Sequence, residues 1–246
     1  MTPAWIDRQV QRLAKPARIV DDVYQLRALG AKVTVIVGTD GAVLVDTGGR
    51  GSRRLIEAGL KEIGIGPDQV RLIVLTHNHP DHAGGLAEFA QATGALIAVH
   101  GDDAKPVSGD GPSESPFRNP LISRVAKPVI SRLTSKPVSV DLSLAGGEVL
   151  PFAGDFQVIH TPGHTAGSIC LYSPAKRLVI VGDALQFRFG NLGPPAAAVT
   201  QDPVQAMASL EALVGLDFDV ICFSHFSPLR TAAASRLCEL LRTKRP

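Results

Sequence analysis

Short apolar runs and amphipathic stretches follow one another along this chain in the same order twice. Runs rich in Val, Ile and Leu at 19–26, 33–38 and 42–45 read as strands. Thr39-Asp40-Gly41 between the last two is a hairpin signal, because Asp-Gly readily takes the backbone angles of a tight turn. A helix is expected after Ser52, read as its N-cap, with Leu55, Ile56, Leu60 and Ile63 toward the core. The apolar run 71–75 predicts a buried strand, Leu86, Phe89 and Ala90 a second amphipathic helix, and 95–99 a further strand. The second half repeats the plan, with short strands at 138–142, 156–160, 168–172 and 178–181 and then two helices. One has Asp202 as N-cap and Pro203 in its first position; the other starts at Ser227-Pro228 and carries Leu229, Leu237, Leu240 and Leu241 on one side. Strands then helices, twice over, predict an α+β chain folded as a four-layer αββα sandwich, two sheets face to face with helices outside.

Residues 101–137 break this rhythm. Gly109-Asp-Gly-Pro-Ser-Glu-Ser-Pro reads as a loop, and 117–134 mixes apolar residues with Arg118, Arg124, Lys127 and Arg132, which suggests a cap or lid inserted into a single domain spanning 1–246. Near the start, Trp5, Ile6, Val10 and Leu13 share one helical face, a docked helix or a homodimer contact. With 25 basic and 23 acidic residues the chain shows no sign of a nucleic-acid or membrane-surface protein. Polar residues break up the N-terminal stretch, and no apolar window is long enough to span a bilayer, so a cytoplasmic protein acting on a small molecule is expected. Cys170 and Cys222 lie inside apolar runs and read as buried free thiols.

The chemistry is concentrated at Thr76-His77-Asn78-His79-Pro80-Asp81-His82, directly after the 71–75 strand. Three imidazoles and a carboxylate can hold a borderline metal such as zinc. Their spacing cannot place all four on one helix face, so the ligands need a loop, and the end of a strand is where α/β architectures put their chemistry. With 7 histidines in the whole chain, three within six positions is a deliberate cluster.

His77-Asn-His79-Pro-Asp81-His82 resembles the His-x-His-x-Asp-His signature of the metallo-β-lactamase superfamily, and further residues match it in chain order. These are Asp46-Thr-Gly after an early strand, His164 in Thr161-Pro-Gly-His-Thr, Asp183 after another strand, and His225 near the C-terminus. The resemblance implies a dinuclear site in which metal one takes His77, His79 and His164, metal two takes Asp81, His82 and His225, and Asp183 bridges both. Two Zn2+ are expected, with Mn2+ or Fe as substitutes. It implies a metal-bridging hydroxide as nucleophile, Asp46 orienting ligands by hydrogen bonds, and Asp81 as a catalytic proton donor to the leaving group. Ser224 and Phe226 flank His225 where the family usually has small residues, often glycine.

For the substrate the motifs exclude more than they select. True metallo-β-lactamases usually lack an aspartate at the position of Asp183, so antibiotic hydrolysis is not expected. Few residues follow His225, too few for the extra helical domain of glyoxalase II-like enzymes, and Gln186 stands where related lactonases usually have a tyrosine. The stretch after Asp183 offers Phe187 and Arg188, with Phe226, as candidate substrate contacts. The expectation is hydrolysis of an ester, thioester or lactone. The alternatives are an iron-dependent persulfide dioxygenase on the same scaffold, a phosphodiesterase, and a non-catalytic binding module.

Overall fold

The first part of the chain lays down a seven-stranded sheet in simple order: β1 (Ala17–Val20), β2 (Val23–Leu26), β3 (Val33–Gly38), β4 (Gly41–Val45), β5 (Val70–Val74), β6 (Leu96–His100) and β7 (Leu142–Leu144). The structure is a computed structural model and describes residues 10–112 and 115–244; Trp5 and Ile6 of the N-terminal helical face lie outside them. The strands β1 to β4 pair antiparallel through hairpins, whereas β4, β5, β6 and β7 run parallel and need crossovers. Those crossovers carry α1 (Arg53–Glu62), α2 (Pro80–Ala83), α3 (Leu86–Thr93), α4 (Gly101–Ser108) and α5 (Pro120–Leu133). A second sheet of β8 (Gln157–His160), β9 (Ile169–Ser173), β10 (Leu178–Ile180) and β13 (Val220–Cys222) has the order β13-β10-β9-β8. A small hairpin, β11 (Gln186–Arg188) with β12 (Asn191–Gly193), stands apart from it, and α6 (Pro203–Ser209) and α7 (Ala233–Lys244) complete the chain.

Alternation along the strands sorts the core into three layers. On β5, Leu72 and Val74 face inward and meet Phe156, Val158, Leu171 and Ile180 of the second sheet. Ile73 and Leu75 point the other way, onto Ile56 and Leu60 of α1 and Phe89 of α3. Val179 and Ile221 turn outward from the second sheet toward Leu210, Leu213, Leu237 and Leu241. This is the αββα sandwich that the pattern predicts. No helix among the described residues is long and apolar enough to cross a membrane.

Several boundaries differ from the expectation. The run 19–26 is two strands, because Asp22 takes a positive φ of 61° and turns the chain back on itself. The strand expected at 138–142 starts only at Leu142; Val138 and Val140 instead pack against the outer layer as loop residues. The last helix starts at Ala233, not Ser227-Pro228, since Leu229 pairs with Ile221 as an antiparallel bridge first. Ser52 occupies the N-cap position of α1 but makes no capping bond; its hydroxyl accepts the Leu29 amide at 2.9 Å. Asp202 does cap α6, accepting the amides of Val204 and Gln205, each at 2.9 Å. The segment 101–137 holds two helices, and α5 has no buried residue at all.

Candidate metal centre

Four loops meet at one edge of the sandwich because their strands all end there. The β5 strand runs into Thr76 and His77; His79 then takes an extended conformation as N-cap of α2, and Pro80 starts the helix so that Asp81 and His82 fall in its single turn. His164 comes from the β8–β9 loop, Asp183 from the end of β10, and His225 from the end of β13. Two glycines allow the approach. A Cβ on Gly182, which has φ +50°, would lie 2.8 Å from the Thr76 side chain, and one on Gly163 would lie 2.2 Å from the Ala206 nitrogen.

The seven expected ligands come together. His77, His79 and His164 form one group whose donor atoms all lie within 4.8 Å of one another, and Asp81, His82 and His225 form a second. Asp183 stands between them. Its Oδ1 lies 3.4 Å from His82 Nε2 and 3.3 Å from His225 Nε2, while its Oδ2 lies 3.7 Å from His164 Nε2. The Oδ2 of Asp81 lies 3.2 Å from His225 Nε2. Neither Ser224 nor Phe226 needs a positive φ to bring His225 into place.

Three of the imidazoles are oriented from behind. Asp46, itself at a positive φ of 67°, accepts the Thr76 amide at 2.8 Å and its hydroxyl at 2.9 Å, and its Oδ2 lies 2.7 Å from His82 Nδ1. The Thr76 hydroxyl, donating to Asp46, is left to accept from His77 Nδ1 at 3.1 Å. Thr200 repeats the device, donating to the Ala196 carbonyl at 2.9 Å and facing His164 Nδ1 at 3.1 Å. With these protons fixed on Nδ1, His77 and His164 present a bare Nε2 to the centre.

That arrangement fits a cation. The Nε2 atoms of His77 and His79 are buried without a hydrogen-bond partner, a costly state for a polar atom. His164 Nε2 faces His79 Nδ1 at 3.0 Å, and His82 Nε2 faces His225 Nε2 at 3.3 Å, nitrogens crowded together as ligands are. Burial pushes His77 well below the usual imidazole value, His79 down to about 3 and His164 to about 4, so these three are neutral, the form that binds metal.

One further participant carries no signal in the sequence. Asp103, in the first turn of α4, is buried and accepts the Asn78 amide, the Thr165 hydroxyl and the Gly167 amide, tying the His77–His79 loop to the His164 loop. Acidic residues in the first turn of a helix are what the helix dipole alone favours, so nothing in the local pattern sets this one apart. His100 and His160 stack on each other at 3.8 Å, grouped with Asp102, and contribute to neither of these two ligand groups.

Beside the centre lies a cavity of about 410 Å³ walled by Asp81, Gln186, Arg188, His225 and Phe226 among others. The Arg188 guanidinium lies 5.3 Å from the Phe226 ring centroid, so both expected contacts stand in the wall. Phe187 does not. Alternation in the β11 strand turns its ring toward the outer core, where it stacks 5.9 Å from Phe223.

Comparison with known proteins agrees with this geometry. A family model described as Metallo-beta-lactamase superfamily matches residues 26–225. The probable metallo-hydrolase YflN of Bacillus subtilis is 28% identical over 202 residues, which cover 76% of this chain and 76% of that protein. A hydroxyacylglutathione hydrolase of Albidiferax ferrireducens is 32% identical over 188 residues, covering 75% of this chain but 57% of the enzyme. In three dimensions, a metallo-beta-lactamase family protein from Thermus thermophilus superposes with a TM-score of 0.70 at 24% identity, over 92% of this chain and 80% of the other.

Proposed function

The chain belongs to the metallo-beta-lactamase superfamily of metal-dependent hydrolases, and on that premise we propose that it cleaves an ester, thioester or lactone bond of a small molecule using two divalent cations, with zinc the first choice. His77, His79 and His164 would hold one cation, Asp81, His82 and His225 the other, and Asp183 would share its two oxygens between them. Divalent cations bound there supply Lewis acidity and lower the pKa of water to about 7.

The position of Asp183 carries this reading: one carboxylate oxygen faces each ligand group, as a bridge requires. The remaining work falls to the chain's own side chains. Asp46, Thr76 and Thr200 hold the imidazoles in register. The cavity admits the substrate, and Arg188 in its wall offers a positive charge to an anionic substituent. In the hydrolysis a C–O or C–S bond of the acyl group breaks, the water oxygen bonds to the acyl carbon, and the leaving oxygen or sulfur takes up a proton. Asp81, whose side chain is 42% exposed against 19% for Asp183, would take the proton that the water gives up and pass it to the leaving atom.

The test is metal analysis of the purified protein together with a panel of p-nitrophenyl esters, thioesters, lactones and phosphodiesters. Two metals per chain, turnover of acyl substrates and their loss in Asp183→Ala are expected. One iron with oxygen uptake on a persulfide, turnover of phosphodiesters alone, or near-normal activity in Asp183→Ala would each overturn the proposal.

A further inference from the structure

A second and larger hollow of about 860 Å³ lies beside the reaction cavity, and the two share Asp81, Pro116 and Phe117 in their walls. One side of this hollow is α5. Leu121, Val125, Val129 and Leu133 recur every fourth residue and so share a helix face, and all four are among the exposed large hydrophobic residues, Val125 at 80%. Leu29 and Pro80 line the side nearer the metal loop, and Arg50 and Asp81 are the only charged residues in the lining among the described residues.

Both ends of α5 are fastened to the body. At its N-terminal end the Arg118 amide donates to the Ala198 carbonyl at 3.2 Å, and Asn119 caps the helix. At its C-terminal end the Arg132 carbonyl accepts from Arg50, and Ser135 accepts the Ala87 amide at 3.0 Å. The helix thus spans the hollow as a fixed beam with its apolar side toward the metal loop. A volume of this size lies within the range of small-molecule sites, and an almost wholly apolar lining selects for hydrocarbon.

We infer that this groove receives the alkyl chain of the substrate, so that the enzyme is selective for medium- to long-chain acyl esters or thioesters. The inference rests on the hydrolase reading, since it threads the chain from the groove to a carbonyl placed at Asp81. Adjacency to the reaction cavity, with the ligand residue Asp81 in both walls, is what favours a substrate chain over a protein partner, because a partner helix would need no ligand residue in its groove. The segment read from sequence as a cap becomes the wall that measures chain length.

The experiment is a series of p-nitrophenyl esters from acetate to dodecanoate with metal-loaded enzyme, in the wild type and in Val125→Asp, alongside calorimetric titration with decanoate. The expected result is a kcat/KM at least tenfold higher for decanoate than for acetate esters. In Val125→Asp the ratio of the two falls by at least tenfold, and decanoate binding weakens to match. Circular dichroism confirms that the variant is folded. Turnover of acetate with no chain-length preference, and no binding of decanoate, overturns the groove assignment and leaves the hydrolase reading intact. Decanoate binding without turnover of any ester does the reverse. A flat profile in which Val125→Asp dissociates a dimer, or releases the protein from phosphatidylglycerol vesicles, assigns the face to another occupant and also overturns the inference.

Discussion

The carboxylate of Asp103 accepts the backbone amide of Asn78 at 2.9 Å, on the residue between two histidine ligands. Its remaining bonds, from Thr165 at 2.9 Å and Gly167 at 3.0 Å, reach the loop of a third ligand. Asp103→Ala would strand two buried amides, each at a cost of about 1–3 kcal/mol, and loosen both loops. We expect metal affinity to fall ~10–100-fold, as for other outer partners of metal ligands, with part of the loss restored in Asp103→Asn. Competition with a chromophoric chelator measures it; unchanged affinity in the alanine variant would remove the assignment.

Asp103 also sets a pH dependence. Burial pushes its carboxyl from 3.8 up to about 6, against the hydrogen bonds it accepts. Between those values the folded chain holds a proton that the unfolded chain has released, so stability falls as pH rises through the window. The stabilising contribution of the protonated acid is complete below about 3.8 and lost above about 6, amounting to ~3 kcal/mol at 1.36 kcal/mol per pH unit. Urea unfolding from pH 4 to 6.5 should show the wild type losing most of that, about 2 kcal/mol, relative to Asp103→Asn. A constant difference between the two proteins contradicts it.

Removing metal should abolish hydrolysis and lower the melting temperature, because the His77 and His79 nitrogens that lack protein partners would then lie buried and bare. Returning Zn2+ or Mn2+ at one hundred times its dissociation constant should restore activity and add about 2.7 kcal/mol of stability. A chelated protein with an unchanged thermal transition would show that the cluster binds no structural share of metal.

Gly182→Ala tests the contact behind the ligands. The added methyl would sit 2.8 Å from Thr76, at a φ of +50° that disfavours it, and would displace the hydroxyl shared by Asp46 and His77. A destabilisation of about 1–3 kcal/mol and at least a tenfold fall in kcat/KM are expected. Thermal melts and ester assays on the purified variant decide it.

Thiol reactivity checks the core. Burial pushes the Cys170 thiol up to about 12 and Cys222 to about 11, whereas Cys238 is only half-buried. Of the 3 cysteines, one should react with a disulfide reagent at pH 8 in the native protein and all after denaturation.

Much of this architecture could be read in the residues themselves. The unbroken apolar run in Arg71-Leu-Ile-Val-Leu and the close spacing of His77, His79, Asp81 and His82 mark a strand and the ligand loop it carries, because both are local patterns. What stayed hidden depends on partners distant in the chain. Ser52 looks like a helix cap until Leu29 takes its hydroxyl, and Phe187 looks like a pocket residue until strand alternation turns it onto Phe223. Asp103 looks like any acid at a helix start until three donors from two other loops converge on it.

The ligands divide by sheet: His77 to His82 follow a strand of the first, while His164, Asp183 and His225 belong to loops of the second. A cation pair held between them would rivet the polypeptide's two halves across their seam. Fragments cut in the exposed turn before β8 and mixed in solution should therefore reassemble more tightly when zinc is present, and the hydrolytic signal would appear only as the seam closes.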